Sequence, residues 1–131
     1  MTRKEPDIVV DELAYEVIGA AIEVHRILGP GHLESMYEEA MCVELCLQKI
    51  PFVRQKTIAV NYKEQKIGES RLNLIVGDLL VVELKAIESV LPVHHAQLLS
   101  YLKITGFELG LLINFNVPVL KSGIKRIVLT K

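Results

Sequence analysis

Residues 73 to 85 run Asn73-Leu74-Ile75-Val76-Gly77-Asp78-Leu79-Leu80-Val81-Val82-Glu83-Leu84-Lys85. Two aliphatic runs flank Gly77-Asp78, a dipeptide that tolerates the left-handed backbone of a tight hairpin. The stretch predicts antiparallel strands over 66–76 and 79–86. Strand side chains alternate, so Glu83 and Lys85 share a face. A carboxylate and an ammonium on so apolar a strand are costly unless they are paired or do chemistry. Such a carboxylate can bind a divalent cation through oxygen. Such an ammonium can orient a water or stabilise developing phosphate charge. A structural ion pair on an exposed face would leave the same triplet.

The partner strand places Asn73 near Glu83. The two share a face only if paired positions sum to an even number. A two-residue loop, Gly77-Asp78, gives an odd sum and opposite faces; a three-residue loop or a bulge at Gly77 brings them together. Asp78 is the nearest acid in sequence, but it sits in the turn. Five strand residues, about 16 Å, separate it from Glu83, too far to share an ion.

Upstream, residues 52–62 form another β-rich run, and Lys63-Glu64-Gln65 reads as its turn into the next strand. Before that, Val10, Leu13, Ala14, Val17, Ile18, Ala21, Val24 and Leu28 recur at spacings of three and four, predicting a helix over 8–28 that Gly29-Pro30-Gly31 ends. A second helix is expected from about Leu33 to Lys49, with an apolar stripe of Leu33, Met36, Tyr37, Ala40, Met41 and Leu45. Downstream, residues 93–105 return to helix, Leu109 to Phe115 reads as a buried strand, and Arg126 to Thr130 as an edge strand. The order is helix, helix, three strands, helix, strand, strand. A strand–helix–strand unit over 79–115 implies a parallel crossover. The expected fold is α/β: a mixed sheet with an antiparallel three-stranded meander plus a parallel crossover strand, flanked by helices.

The chain has 131 residues, half of them hydrophobic and 24% charged, and a net charge of -1. One domain over 1–131 is expected, with 1–7 as a flexible N-terminus. Near neutrality excludes a strongly basic nucleic-acid wrapper, although Arg54, Lys56, Lys63, Lys66 and Arg71 fall on the meander and could form a patch. Cys42 and Cys46 lie four apart on a helix, a poor geometry for a disulfide. No second cysteine pair completes a zinc site. Two buried thiols are expected, as suits a reducing compartment. No apolar run approaches the ~18 residues of a membrane span, and no signal core follows the N-terminus, so a cytoplasmic protein without membrane contact is expected. His25 lies on the first helix's apolar stripe and reads as structural. His32 sits in the Gly31 turn, where it could line a site. His94 and His95, adjacent on a helix, cannot form an i, i+4 metal pair.

Gly31-His32-Leu33-Glu34-Ser35-Met36-Tyr37 resembles the motif of the GxxExxY proteins. The likeness continues through Val24 to Pro30, Glu44-Leu45, Gln55, Glu83-Leu84-Lys85-Ala86, Gln97 to Leu102 and Leu112 to Phe115, covering about residues 15 to 128. That family resembles the PD-(D/E)XK nuclease superfamily, whose restriction-endonuclease-like core runs helix, three strands, helix, strand. The resemblance implies a metal-dependent nuclease acting on DNA or RNA phosphodiesters. Glu83, Lys85 and Glu34 would be catalytic, and Mg²⁺ or Mn²⁺ would sit on Glu83, the Leu84 carbonyl and Asn73. Gln97 and Tyr101, one helical turn apart, would contact substrate or brace the lysine, though an ordinary polar helix edge would look alike. Relatives usually carry Asp at position 73. Asn loses the negative charge that hard cations favour, so the resemblance implies weak metal binding. An inactive nuclease fold serving in binding or assembly is the alternative, and a small phosphoester is a weaker substrate reading. So small a domain would act nonspecifically or with a partner, including as a homodimer.

Overall fold

A computed structural model describes residues 7–129. Two helices, α1 (Ile8–Leu28) and α2 (Glu34–Leu47), precede strands β1 (Phe52–Tyr62), β2 (Gln65–Val76) and β3 (Leu80–Lys85). Helix α3 (Pro92–Thr105), strand β4 (Leu109–Asn114), a 3₁₀ turn (Leu120–Gly123) and strand β5 (Ile124–Val128) follow. The five strands form one sheet in sequence order. β1–β2, β2–β3 and β4–β5 are antiparallel, whereas β3 and β4 are parallel, joined through α3. This is the mixed α/β sheet expected from the sequence.

Alternation sorts the apolar side chains into two layers. Leu74, Val76, Leu80, Val82, Leu84, Leu109, Leu111 and Ile113 pack against Val17, Ala21 and Val24 of α1 and Tyr37, Met41 and Leu45 of α2. Ile75, Val81, Leu112 and Ile127 face Leu98, Tyr101 and Leu102 of α3. Removing each large aliphatic side chain from water contributes about 2 kcal/mol, so the central strands, covered on both sides, anchor the sheet. α3 comes close to β4: a Cβ on Gly110 would lie 3.0 Å from the Leu98 side chain.

Several boundaries differ from the sequence reading by a residue or two. The last strand begins at Ile124 and ends at Val128; Thr130, the expected end, lies outside the described residues. Asp7 caps α1. Its carboxylate accepts from the Val9 N–H at 3.4 Å, and its own N–H donates to Glu108 at 3.2 Å; the rest of the expected flexible N-terminus, 1–6, lies outside the described residues. On α2 the buried side is turned toward Glu38 and Cys42 relative to the expected stripe. Leu33 is 68% exposed and Met36 is also exposed, while Cys42 and Glu38 are buried. Both cysteines are free thiols, but Cys46 is exposed rather than buried. No helix among the described residues is long and apolar enough to cross a membrane.

Candidate active site

Where β2 meets β3, the loop decides which residues face each other. Val76 pairs with Leu80, Ile75 with Val81 and Leu74 with Val82. Three residues, Gly77 to Leu79, therefore lie between the strands, and every paired sum is even. Gly77 and Asp78 both have positive φ, +60° and +56°, and the Leu79 N–H donates to the Val76 carbonyl at 3.1 Å. A Cβ on Gly77 would meet a terminal methyl of Leu13 at 2.7 Å, so the Leu13 side chain would have to shift. The same register carries Asn73 opposite Glu83.

At that point side chains replace the backbone ladder. The Asn73 N–H donates to Glu83 Oε1 at 3.1 Å, and the Leu84 N–H donates to Asn73 Oδ1 at 2.9 Å. β2 and β3 stop pairing here, leaving between the strands a notch that the Asn73 and Glu83 side chains occupy. The N–H and C=O of one strand residue point to the same edge, so the Leu84 carbonyl faces the notch. The Lys85 carbonyl faces the other way, accepting from Phe115 at 2.9 Å.

Helix α2 closes the notch with acids. Glu38, 6% exposed, accepts from Gln55 Nε2 at 2.6 Å and Asn73 Nδ2 at 2.9 Å through Oε1, and from Arg54 at 2.8 Å through Oε2. Arg54 also reaches Glu39 at 2.8 Å. Glu34, one turn before Glu38, accepts from Asn73 Nδ2 at 3.5 Å. Gln55 lies across from Asn73, between the pairs Arg54–Leu74 and Lys56–Leu72. Its φ of +53° breaks the extended backbone, a local cost of about 1 kcal/mol or more for a non-glycine residue. The sequence reading did not single out Glu38. Its i, i+4 spacing from Glu34, beside buried Tyr37, was the available signal.

Glu83 is also 6% exposed. Burial pushes its carboxyl up to about 7; the Asn73 N–H and the Lys85 ammonium pull down, and the nearby Glu34 and Glu38 charges push further up. Tyr101 from α3 is raised by burial and by the Glu83 charge, with a hydrogen bond from Ser70 opposing. Lys85 is half-buried and Gln97, one turn from Tyr101, is exposed. Glu83, Leu84, Lys85 and Asn73 thus converge, with Glu34 at the rim and Tyr101 beside Glu83; Gln97 lies on the outer part of α3. Three of the four histidines are engaged elsewhere: His25 with the Val117 carbonyl at 2.8 Å, His32 with the Leu28 carbonyl at 3.1 Å, and His94 with the Leu91 N–H at 2.9 Å.

A family model of the PD-(D/E)XK nuclease superfamily matches residues 11–127. The chain belongs to that superfamily. No curated protein and no solved structure matches it. Nucleases of the superfamily typically use divalent metals. Here the donor set fits such an ion poorly. Glu83 and the Leu84 edge offer oxygen, but Asn73 has its oxygen committed to Leu84 and turns its NH₂ toward the carboxylates. Glu38 is covered by Arg54 and Gln55. Among the described residues, no three His, Cys, Asp or Glu side chains form a ready metal centre.

Proposed function

We propose that this chain is a nuclease-like protein directed at nucleic-acid phosphodiesters, with a divalent-metal centre attenuated by Asn73. The observation that carries this reading is the Asn73 amide wedged between the Leu84 N–H and Glu38. In the attenuated site Glu83 and the Leu84 carbonyl would be the remaining oxygen donors for Mg²⁺ or Mn²⁺, with Glu34 assisting from the rim. Such an ion would supply charge stabilisation at the phosphate. Lys85, on the face of Glu83, orients the attacking water, and Tyr101 and Gln97 brace that side of the notch. A carboxyl near neutrality, as Glu83 is, can hold or release the proton such a water gives up. A homodimer would add the second substrate contact that so small a domain lacks. The free Cys42 and Cys46 thiols fit a cytoplasmic setting.

One observation favours a second reading, an inactive fold used for binding or assembly: both Glu38 oxygens are already satisfied from within the chain. A single experiment separates the two. Mn²⁺ titration and cleavage of DNA and RNA are measured for the unmodified chain, Asn73→Asp, and Asn73→Asp with Glu83→Gln. The expected result is weak binding and little turnover, then tighter binding with metal-dependent cleavage, then loss of that gain. Brisk cleavage by the unmodified chain that Glu83→Gln leaves intact would sink the site assignment. Tight binding by Asn73→Asp without cleavage would support the binding module.

A further inference from the structure

β1 and β2 continue as a pair far beyond the sheet. Their register runs from Phe52–Val76 out to Tyr62–Gln65, whereas β3 accompanies β2 only from Leu74 to Val76. Ile58 and Leu72 tie the root of this ribbon to Leu98, Tyr101 and Leu102. Beyond the Ile58–Ser70 pair, four more residues of β1 and five of β2, with Ile67 bulged out of the pairing, carry the ribbon about 13 Å further as a two-stranded arm. Both its faces are largely exposed, with Tyr62 at 61% and Ile67 at 67%. Two-stranded ribbons are marginal alone and expose their edges, so an arm of this length calls for a partner.

Charge says which partner. Residues 54–71 hold five Lys or Arg and two Glu, a net +3, in a chain whose total is -1. The remainder is therefore at -4. Arg54 is committed to Glu38 and Glu39, and Lys66 to Glu69. Lys56 and Arg71 are exposed at the root of the arm and Lys63 at its tip; beyond the Ile58–Ser70 pair Lys63 and Lys66 are balanced by Glu64 and Glu69, so the positive excess sits at the root. Asn61 and Gln65, side-chain amides able to pair with base edges, flank the turn and are also exposed.

We propose that the β1–β2 arm grips duplex DNA by entering its major groove. This inference rests on the nucleic-acid reading above and assigns that site's substrate class. A B-form major groove, about 12 Å wide, admits a two-stranded ribbon. The major groove of an RNA duplex is too narrow and deep for side chains to read. Lys56 and Arg71 near the root and Lys63 at the tip would meet phosphates on the groove walls. The arm leaves the sheet at Gln55 and Asn73, so it delivers the duplex to the Glu83 notch.

The test is fluorescence anisotropy in chelator, so that binding is read without cleavage. The probes are a short DNA duplex and an RNA duplex of the same sequence. The proteins are the unmodified chain and a triple variant, Lys56→Gln, Lys63→Gln and Arg71→Gln, with circular dichroism to confirm folding. The DNA duplex should bind the unmodified chain at least about tenfold more tightly than the RNA duplex, with affinity falling steeply between about 50 and 200 mM salt. The triple variant should lose at least about tenfold at low salt, with a salt slope shallower by about 2 to 3. Unchanged DNA binding by the variant overturns the arm while leaving the nucleic-acid reading intact. Equal affinity for the two duplexes overturns the groove. No binding to either duplex also overturns the arm, and cleavage by Asn73→Asp then decides the broader reading separately. Self-association of the unmodified chain that the triple variant abolishes, with no DNA binding, would instead make the arm a protein interface.

Discussion

Glu83 carries a buried carboxyl that holds its proton up to about pH 7, against an ordinary value of 4.5. The native state therefore binds more protons than the unfolded chain across that window. Stability should fall as pH rises from about 4.5 to about 7, and the penalty persists above it at about 3 kcal/mol. Glu83→Gln keeps an oxygen for the Asn73 N–H but removes the titration. Its thermal midpoint should be nearly flat across that window and exceed that of the unmodified chain at pH 8; parallel midpoint-versus-pH curves would contradict this. Glu83, Lys85 and Asn73 were legible as a group because strand alternation and hairpin parity are arithmetic on the sequence. Glu38 was not. Four glutamates on α2 look alike as solvated charges, and only the fold shows that Arg54, Gln55 and Asn73 converge on one of them.

At the scale of elements, the order and type of the five strands and three α-helices described followed from periodicity and breakers, whereas the 3₁₀ turn at Leu120–Gly123 was not read. The misreadings came where apolar residues do not face the core. Leu33 and Met36 fit the spacing of α2 but lie exposed, because spacing fixes which residues share a face and not which way that face is turned. The turn between β1 and β2 is another case. It is two residues long, Lys63 and Glu64, both at positive φ, +48° and +69°, with Gln65 already paired to Tyr62. That is the backbone Asn-Gly prefers, so Lys-Glu there gives little sequence signal. Replacing Lys63 by Asn and Glu64 by Gly should stabilise the arm by about 0.5–1 kcal/mol. Slower amide exchange at Ala59, Val60 and Gly68 would show it; unchanged or faster exchange would mean that the turn does not limit the arm.

The whole molecule is a helix-covered sheet with one uncovered ribbon, and its charge is divided between an acidic body and the ribbon span 54–71, whose positive excess lies at its root. The sheet layers were legible because Val81, Leu112 and their neighbours must be covered on both faces. The projection of the arm was not, since β1 and β2 read as ordinary strands until the short span of β3 is known. The acidic end of the notch is where the parts are joined. Arg54 of β1 and the Asn73 amide of β2 hold Glu38 of α2 by bonds from within the polypeptide. A tether that is part of the chain cannot be diluted, exchanged or starved away. The fold should therefore be indifferent to metal supply, with the same melting temperature in EDTA and in millimolar Mn²⁺. Asn73→Asp sets a carboxylate against Glu38, and its melting temperature should rise when Mn²⁺ is added, as expected when a ligand binds only the native state. Asn73 thus exchanges responsiveness for self-sufficiency, leaving a protein whose shape does not report the ionic state of its surroundings.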